Sequence, residues 1–208
     1  MTHLQRSLIV LSILVTGSRL VCGEETEEGT KKGIEAPSPD GQFAFRYTGE
    51  SDDEKKTYDL IEKASGKLLK SVAEADSDPG PSARFNMEVL WKPDSKAFAL
   101  TATLWKRGSY VAVFLRAGST FREIKIPDLE ADIPEKVKGG KSYPHVAGWN
   151  SQSATRWQKD GSLVVEIETV IDGEGSMITA TRTVVLGFDR SDKARIIKST
   201  IKFVTEKA

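Results

Sequence analysis

Alternation of apolar and polar residues is the feature that most constrains how this chain can fold. In residues 42–47, 163–171 and 197–203, apolar side chains occupy most of the alternate positions, with Thr169 and Ser199 as the exceptions. Successive side chains of a β-strand point to opposite faces, so these segments are predicted to be half-buried strands with one face in water. Residues 96–105 and 110–116 are almost continuously apolar or small. This pattern predicts strands that are covered on both faces or lie centrally in a sheet.

The connections between these segments are short and contain glycine. Residues 63–67 (KASGK), 106–109 (KRGS) and 172–176 (DGEGS) each separate two strand-like segments. Links this short require antiparallel neighbours, and glycine supplies the positive φ that tight hairpins need. Only residues 127–141 can hold a helical turn, and Pro134 limits it. We therefore expect an all-β, antiparallel fold, either a propeller-like or curved sheet, an open barrel or a sandwich, of about 8–10 strands.

Three similar turns precede three of the predicted strands. Asp40, Asp94 and Asp160 each follow a Pro or Lys and precede a Gly or Ser. Proline presets φ, the carboxylate accepts a hydrogen bond from the N–H two residues on, and glycine tolerates the left-handed corner. These residues indicate a structural role in turns.

The stretch SPDGQFAF (38–45), followed by YDLIEKASGKLL (58–69), resembles the repeat of TolB-like β-propellers. WKPDSKAFAL (91–100) with YVAVFLRAGSTFREI (110–124) resembles a second copy, and WQKDGSLVVEI (157–167) a third. The aspartates of the three copies are 54 and 66 residues apart, and a closed ring usually needs at least four blades. The resemblance implies propeller-like antiparallel sheets and not a complete propeller.

The N-terminus indicates export. Arg6 precedes an apolar stretch at residues 8–15, which is shorter than the roughly 20 residues that span a bilayer. With Val21 and Gly23 before a cleavage point, residues 1–23 are predicted to be a signal peptide. A buried amphipathic segment is one alternative, and a lipid anchor on Cys22 is another.

The domain organisation follows from this boundary. Residues 24–39 are predicted to be a flexible leader because they are charged and poor in apolar residues, and residues 40–206 to be a single all-β domain. The chain has 30 basic and 30 acidic residues; removing residues 1–23 removes two arginines and leaves 28 against 30, a net charge of −2. This balance argues against nucleic acid as a partner. We expect a secreted or periplasmic protein with no transmembrane segment after cleavage.

Residues suited to catalysis are scarce. His145 is the only histidine besides His3, so a zinc site is not expected. A Ser-His-Asp triad that uses His145, or a carboxylate pair such as Glu166 and Glu168, remains the basis of a hydrolase alternative. Residues 51–54 (SDDE) lack the spaced ligands of a calcium loop. We therefore expect no catalytic residues, no metal and no cofactor.

The best candidates for ligand binding lie in residues 143–157, which we interpret as a loop. Aromatic, amide and basic side chains in a loop can stack on a sugar or hold a peptide. The candidate binding residues are Tyr143, His145, Trp149, Asn150 and Arg156. Packing at the end of the sheet is the alternative role, especially for Trp157, and a second candidate is Trp105 with its two basic neighbours.

The sequence thus predicts an exported, soluble protein that acts without catalysis as a binding or accessory module of the cell envelope or extracellular space. Its ligand would be a protein or a carbohydrate. The alternatives are a hydrolase and a structural component of an envelope assembly.

Overall fold

A computed structural model describes residues 34–48, 56–75, 86–104, 108–173, 175–189 and 193–207. All of them belong to one compact unit, Lys32–Ala208. The predicted signal peptide, Cys22, residues 51–54 and Trp105 lie outside the described residues.

The described residues form three sheets of four antiparallel strands, and in each sheet the strands are neighbours in chain order. The all-β antiparallel fold predicted from the alternation is confirmed, and none of these sheets closes into a barrel. The described residues contain twelve strands, more than the eight to ten that the sequence predicts.

The first sheet begins within the segment predicted to be a flexible leader. It consists of β1 (Ile34–Glu35), β2 (Phe43–Thr48), β3 (Lys56–Glu62) and β4 (Leu68–Ala75). Strand β1 pairs with β2, so the sheet starts at Ile34 and not at residue 40.

The second sheet is joined to the third by a long connection. The second sheet consists of β5 (Asn86–Trp91), β6 (Ala97–Leu104), β7 (Gly108–Ala117) and β8 (Thr120–Ile124). After it comes the helix α1 (Glu135–Lys138), which starts directly after Pro134, within the segment that the sequence predicts can hold a helical turn. No helix in the described part of the chain is long and apolar enough to cross a membrane.

The third sheet has the longest strands. It consists of β9 (His145–Trp157), β10 (Leu163–Gly173), β11 (Ser176–Phe188) and β12 (Ala194–Lys207). Strands β10 and β11 meet at the tight Gly173–Ser176 hairpin that the sequence predicts.

The second sheet packs against both of the others, which explains its nearly continuous apolar strands. On one side, Phe98 and Leu100 of β6 join a cluster with Phe45 and Leu60 of the first sheet. On the other side, Ala99 joins a cluster with residues of the third sheet. The sequence predicts that these strands are covered on both faces or lie centrally in a sheet, and β6 and β7 meet both descriptions.

The two interfaces of the second sheet differ in composition. Aromatic rings dominate the interface with the first sheet, where Phe98 lies 4.7 Å from Phe114 and 5.1 Å from Phe45 between ring centroids. Aliphatic side chains dominate the interface with the third sheet. Its buried members include Val111, Val113, Leu163, Val165, Ile167, Val184 and Leu186.

The three Asp-containing turns share one hydrogen-bond geometry. The Oδ1 atoms of Asp40, Asp94 and Asp160 each accept from the backbone N–H two residues on, at 3.0 Å in every case. The residue after each Asp has a positive φ, which is 70° at Gly41, 57° at Ser95 and 85° at Gly161. The predicted structural role of these aspartates is confirmed.

Ser95 is an exception among the three left-handed positions because it carries a side chain. A non-glycine residue there costs roughly 1–2 kcal/mol. The Ser95 side chain is fully buried, and its Oγ accepts a hydrogen bond from the Asp40 N–H at 3.0 Å. Ser95 therefore links the turn of the second sheet to the turn of the first.

Two tryptophans make equivalent contacts between successive sheets. The Trp91 Nε1–H donates to the Ala36 carbonyl at 2.8 Å, and the Trp157 Nε1–H donates to the Leu90 carbonyl at 2.9 Å. Each tryptophan lies three residues before its turn aspartate, and each acceptor lies four residues before the aspartate of the preceding turn. The same contact thus joins the first sheet to the second and the second to the third.

The Ser95 link can be tested with two substitutions. Ser95→Ala keeps the strained backbone and removes the hydroxyl that accepts from Asp40, so we expect the free energy of unfolding to fall by about 1–3 kcal/mol. Ser95→Gly also removes the hydroxyl but relieves about 1 kcal/mol of strain, so it should cost less. Urea denaturation followed by circular dichroism measures both values.

Gly41→Ser is the matched control, because an added Cβ there meets no atom within 4 Å. This variant reports the strain of a left-handed serine without the link. Wild-type stability of Ser95→Ala would show that the link between the turns contributes nothing.

The turns also predict how stability depends on pH. Burial raises the pKa of Asp40, but hydrogen bonds from Ser38, Gln42 and Ser95 outweigh it, so its pKa lies below the ordinary 3.8. Burial raises the pKa of Asp94 as well, but the hydrogen bond and charge of Lys92 and the hydrogen bond from the Lys96 N–H outweigh it. The pKa of Asp94 therefore also lies below 3.8. The hydroxyl and N–H of Ser162 lower the pKa of Asp160.

A lowered carboxyl pKa stabilises the fold above the pKa of the unfolded chain, and this contribution is lost as the pH falls through the folded value. We expect the stability advantage of the wild type over an Asp40→Asn/Asp94→Asn/Asp160→Asn variant to shrink as the pH falls below about 4. Urea denaturation at a series of pH values measures it. An advantage that stays constant from pH 6 to pH 3 would contradict this assignment.

Candidate functional site

The segment that carries the predicted binding residues is a strand, so our interpretation of it as a loop was wrong. Residues His145–Trp157 form β9 and pair with β10. The register shifts at three places, between Val164 and Val165, between Glu168 and Val170, and between Val170 and Ile171. Each shift inserts extra residues and breaks the period-two alternation, so the sequence pattern does not reveal the strand.

Asn150 holds the backbone of β9 in an unusual conformation. Its φ is 45°, in the left-handed region that asparagine tolerates better than most residues. Its Oδ1 accepts from the Ala131 N–H at 2.8 Å and from the Thr169 hydroxyl at 3.1 Å, and its N–H donates to the Thr169 Oγ1. The Asn150 side chain therefore fastens β9 to β10 and to the connection after the second sheet.

Gln152 makes a second set of anchoring contacts, and sequence reasoning missed it. Its Oε1 accepts from the Val111 N–H at 3.2 Å, and its Nε2 donates to the Leu129 carbonyl at 3.3 Å. The Ser109 hydroxyl also donates to the Gln152 carbonyl at 2.6 Å. The sequence signals this role only through residue type, since a glutamine amide can both donate and accept hydrogen bonds.

Strand β9 passes very close to the start of β7. A Cβ added to Gly108 would lie 3.0 Å from the Ser151 Oγ and 3.1 Å from the Trp149 carbonyl oxygen. Gly108 also has a φ of 87°, so this crossing requires glycine. The backbone from the Trp149 carbonyl to Gln152 is thus held by packing and by hydrogen bonds.

Trp149, at the start of this fixed backbone, and Val146, three residues before it, leave much of their apolar surface in solvent. Trp149 is 54% exposed and Val146 is 53% exposed. Burial in water-excluding cores is the ordinary state of such side chains, and exposed ones near each other indicate a contact surface. Val146 pairs in register with the buried Ile171, and His145 pairs with Asp172, so these two neighbouring side chains point to opposite faces of the sheet. We define the Trp149 surface as the exposed indole ring of Trp149.

Tyr143 and His145 lie at the end of β9 that meets the β10–β11 hairpin. The Tyr143 hydroxyl is 3.0 Å from the Ser176 Oγ, and His145 is exposed and pairs in register with Asp172. Ser176 follows the hairpin on the opposite face of the sheet from Asp172, and its side chain is buried. His145, Asp172 and Ser176 therefore do not form a catalytic triad.

Arg156 and Trp157 lie at the other end of β9. Arg156 is exposed and lies seven positions after Trp149 along the strand, which corresponds to roughly 20 Å. Trp157 is half-buried, lies 5.7 Å from the Phe188 ring centroid, and donates to the Leu90 carbonyl. His145 and Trp149 lie in one half of β9 and Tyr143 lies just before it, whereas Arg156 lies at the other end and Trp157 has the packing role.

The candidate carboxylates lie on the outer face of the third sheet, the side turned away from the second sheet. Glu166 and Glu168 are both exposed there, flanked in register by serines of β9 and by Thr183 and Thr181 of β11. Exposed carboxylates on an open sheet face remain hydrated, which is unlike the desolvated environment of a general acid. Within the described ranges, no group of three or more His, Cys, Asp or Glu residues could hold a metal ion.

We compared the chain with protein-family models and with curated proteins. No protein-family model matches the chain, and no curated protein is significantly similar to it.

Proposed function

We propose that this protein is an exported binding or accessory module that contacts its ligand through the Trp149 surface. The observation that carries the proposal is the exposure of 54% of a tryptophan on a strand whose backbone is fixed on two sides. The pattern of residues 1–23 supports export. We therefore propose that the protein acts in the cell envelope or the extracellular space.

A fixed backbone favours binding because little conformational entropy is lost when the ligand arrives. Ordering a mobile side chain or loop costs about 0.5–1.5 kcal/mol for each immobilised side chain. The contacts of Asn150 and Gln152 impose that order before binding. A tryptophan on such a support combines a large contact area with few rotatable bonds, as in the central residues of many interfaces.

The chemistry of the Trp149 surface suits a ligand with a flat apolar face and polar edges. The indole ring stacks on the C–H face of a sugar or on a peptide side chain. The exposed His145 imidazole supplies a hydrogen-bonding group on the same strand. A carbohydrate or an extended peptide is the ligand class that we propose.

The hydrolase alternative has less support. Its carboxylate version uses Glu166 and Glu168, which are exposed on an open face, and in its histidine version Ser176 lies on the opposite face of the sheet from Asp172. A structural role in an assembly is favoured by one observation, the exposed apolar residues of β12.

Trp149→Ala tests the proposed binding surface. Because the ring supplies most of the exposed apolar area, we expect the variant to lose at least about tenfold in signal on glycan and peptide arrays, as hot-spot truncations do. Circular dichroism melts establish that the fold is unchanged.

Trp149→Phe, which keeps an aromatic ring, is expected to retain part of the signal. Tyr110→Ala is the matched control, since Tyr110 is 40% exposed but lies on β7. Equal array signals from the wild type and Trp149→Ala would remove the Trp149 surface from consideration.

A further inference from the structure

Strand β12 is a long edge of the third sheet. It runs for 14 residues, from Ala194 to Lys207, and pairs with β11 along one side. Among the described residues no strand pairs with its other side, although Lys193 just before it bridges to Lys125. An edge of this kind presents a row of backbone N–H and carbonyl groups to any strand that can pair with it.

The exposed apolar residues of the protein concentrate on this strand. Ile196, Ile197, Ile201 and Val204 are between 36% and 52% exposed. They are four of the eight large hydrophobic residues that are exposed in the described part of the chain. Solvent-facing edges usually avoid such residues, so their accumulation on one edge indicates a contact surface.

The strand is also positively charged. Arg195, Lys198, Lys202 and Lys207 stand against Glu206 alone, which gives a net charge of +3. Lys198 and Lys202 are four residues apart, so they lie on the same face of the strand. Their register partners on β11 are Val185 and Thr181, and neither lysine makes an ion pair within the described residues.

We propose that β12 binds an extended acidic segment of another protein, which adds to the third sheet as a fifth strand. In the antiparallel arrangement, acidic residues of the segment lie opposite Lys202 and Lys198, and an apolar residue lies opposite Ile201. The segment therefore follows the pattern acidic, apolar, any residue, any residue, acidic. Main-chain hydrogen bonds supply affinity and the alternating side chains supply specificity, as in other strand-addition complexes.

A second copy of this chain fits the edge less well. Antiparallel pairing of two β12 strands about Thr200 places Lys198 opposite Lys202 of the other copy, and like charges directly opposite each other are destabilising. Lysines on an edge also serve to prevent pairing. That role does not account for four exposed apolar side chains between and beside the lysines.

The experiment uses the full chain and a fluorescein-labelled peptide, Thr-Glu-Val-Thr-Val-Glu-Thr, in which the two Glu face the two lysines. A matched peptide carries Lys in place of both Glu. We expect the acidic peptide to bind at least about tenfold more tightly in fluorescence anisotropy. Hydrogen exchange should show new protection in residues 194–207.

Charge reversal makes the test specific. Lys198→Glu/Lys202→Glu is expected to lose at least about tenfold in affinity for the acidic peptide and to gain affinity for the lysine peptide. Lys136→Glu/Lys141→Glu is the matched control, since both of these lysines are exposed on the connection before β9. This control should bind the acidic peptide like the wild type.

Backbone pairing is tested separately by N-methylation. Methyl groups on the Val nitrogens, or on the Glu and central Thr nitrogens, block alternate N–H groups. Only one of these sets faces the edge of β12, so one peptide should lose binding and the other should keep it. Trp149→Ala should leave this binding unchanged, because the inference does not depend on the Trp149 surface.

Several results would overturn the inference. The two peptides could bind with equal affinity, or charge reversal could leave the affinity unchanged. Both N-methylated peptides could still bind, or the new protection could lie outside residues 194–207. Concentration-dependent dimerisation that the acidic peptide does not reverse would assign the edge to a second copy. Binding to phosphatidylserine vesicles without binding to the peptide would assign it to a lipid surface.

Discussion

Burial of the second sheet on both faces is the constraint on which the rest of the structure depends. Phe98 and Leu100 fill one interface and Ala99 the other, so a single strand, β6, takes part in both hydrophobic clusters. Burying each large side chain contributes about 1.5–3 kcal/mol. The Ser95 link between two turns and the two indole hydrogen bonds join successive sheets, and they fix the position of each sheet relative to the preceding one.

The sequence predicts those parts of the fold in which local chemistry and tertiary contacts agree. The turn geometry of Asp40, Asp94 and Asp160 depends on neighbouring atoms, and it was predicted atom by atom. The double coverage of β6 was visible because apolar residues fill both faces of the strand. The role of Trp157 followed from its position relative to Asp160, which matches that of Trp91 relative to Asp94.

Strand β9 was not predictable because its conformation depends on distant partners. Asn150 adopts a left-handed conformation to reach Ala131 and Thr169, and Gln152 reaches Val111 and Leu129. None of these partners is near in sequence, and three register shifts remove the alternation that marks the other strands. The sequence identifies Trp149 as a candidate, but only the structure shows the rigid support beneath it.

The outer face of the third sheet has a consequence for how far this architecture extends. If another sheet followed by the same indole contact, the Arg156 carbonyl would occupy the place of Ala36 and Leu90. Such an addition would cover Glu166, Glu168, Lys198 and Lys202, and burying unpaired charges is strongly unfavourable. The charged side chains thus disfavour a further sheet on this face, as the polar outer faces of terminal repeats do in repeat proteins. An added sheet would first require apolar residues at these charged positions.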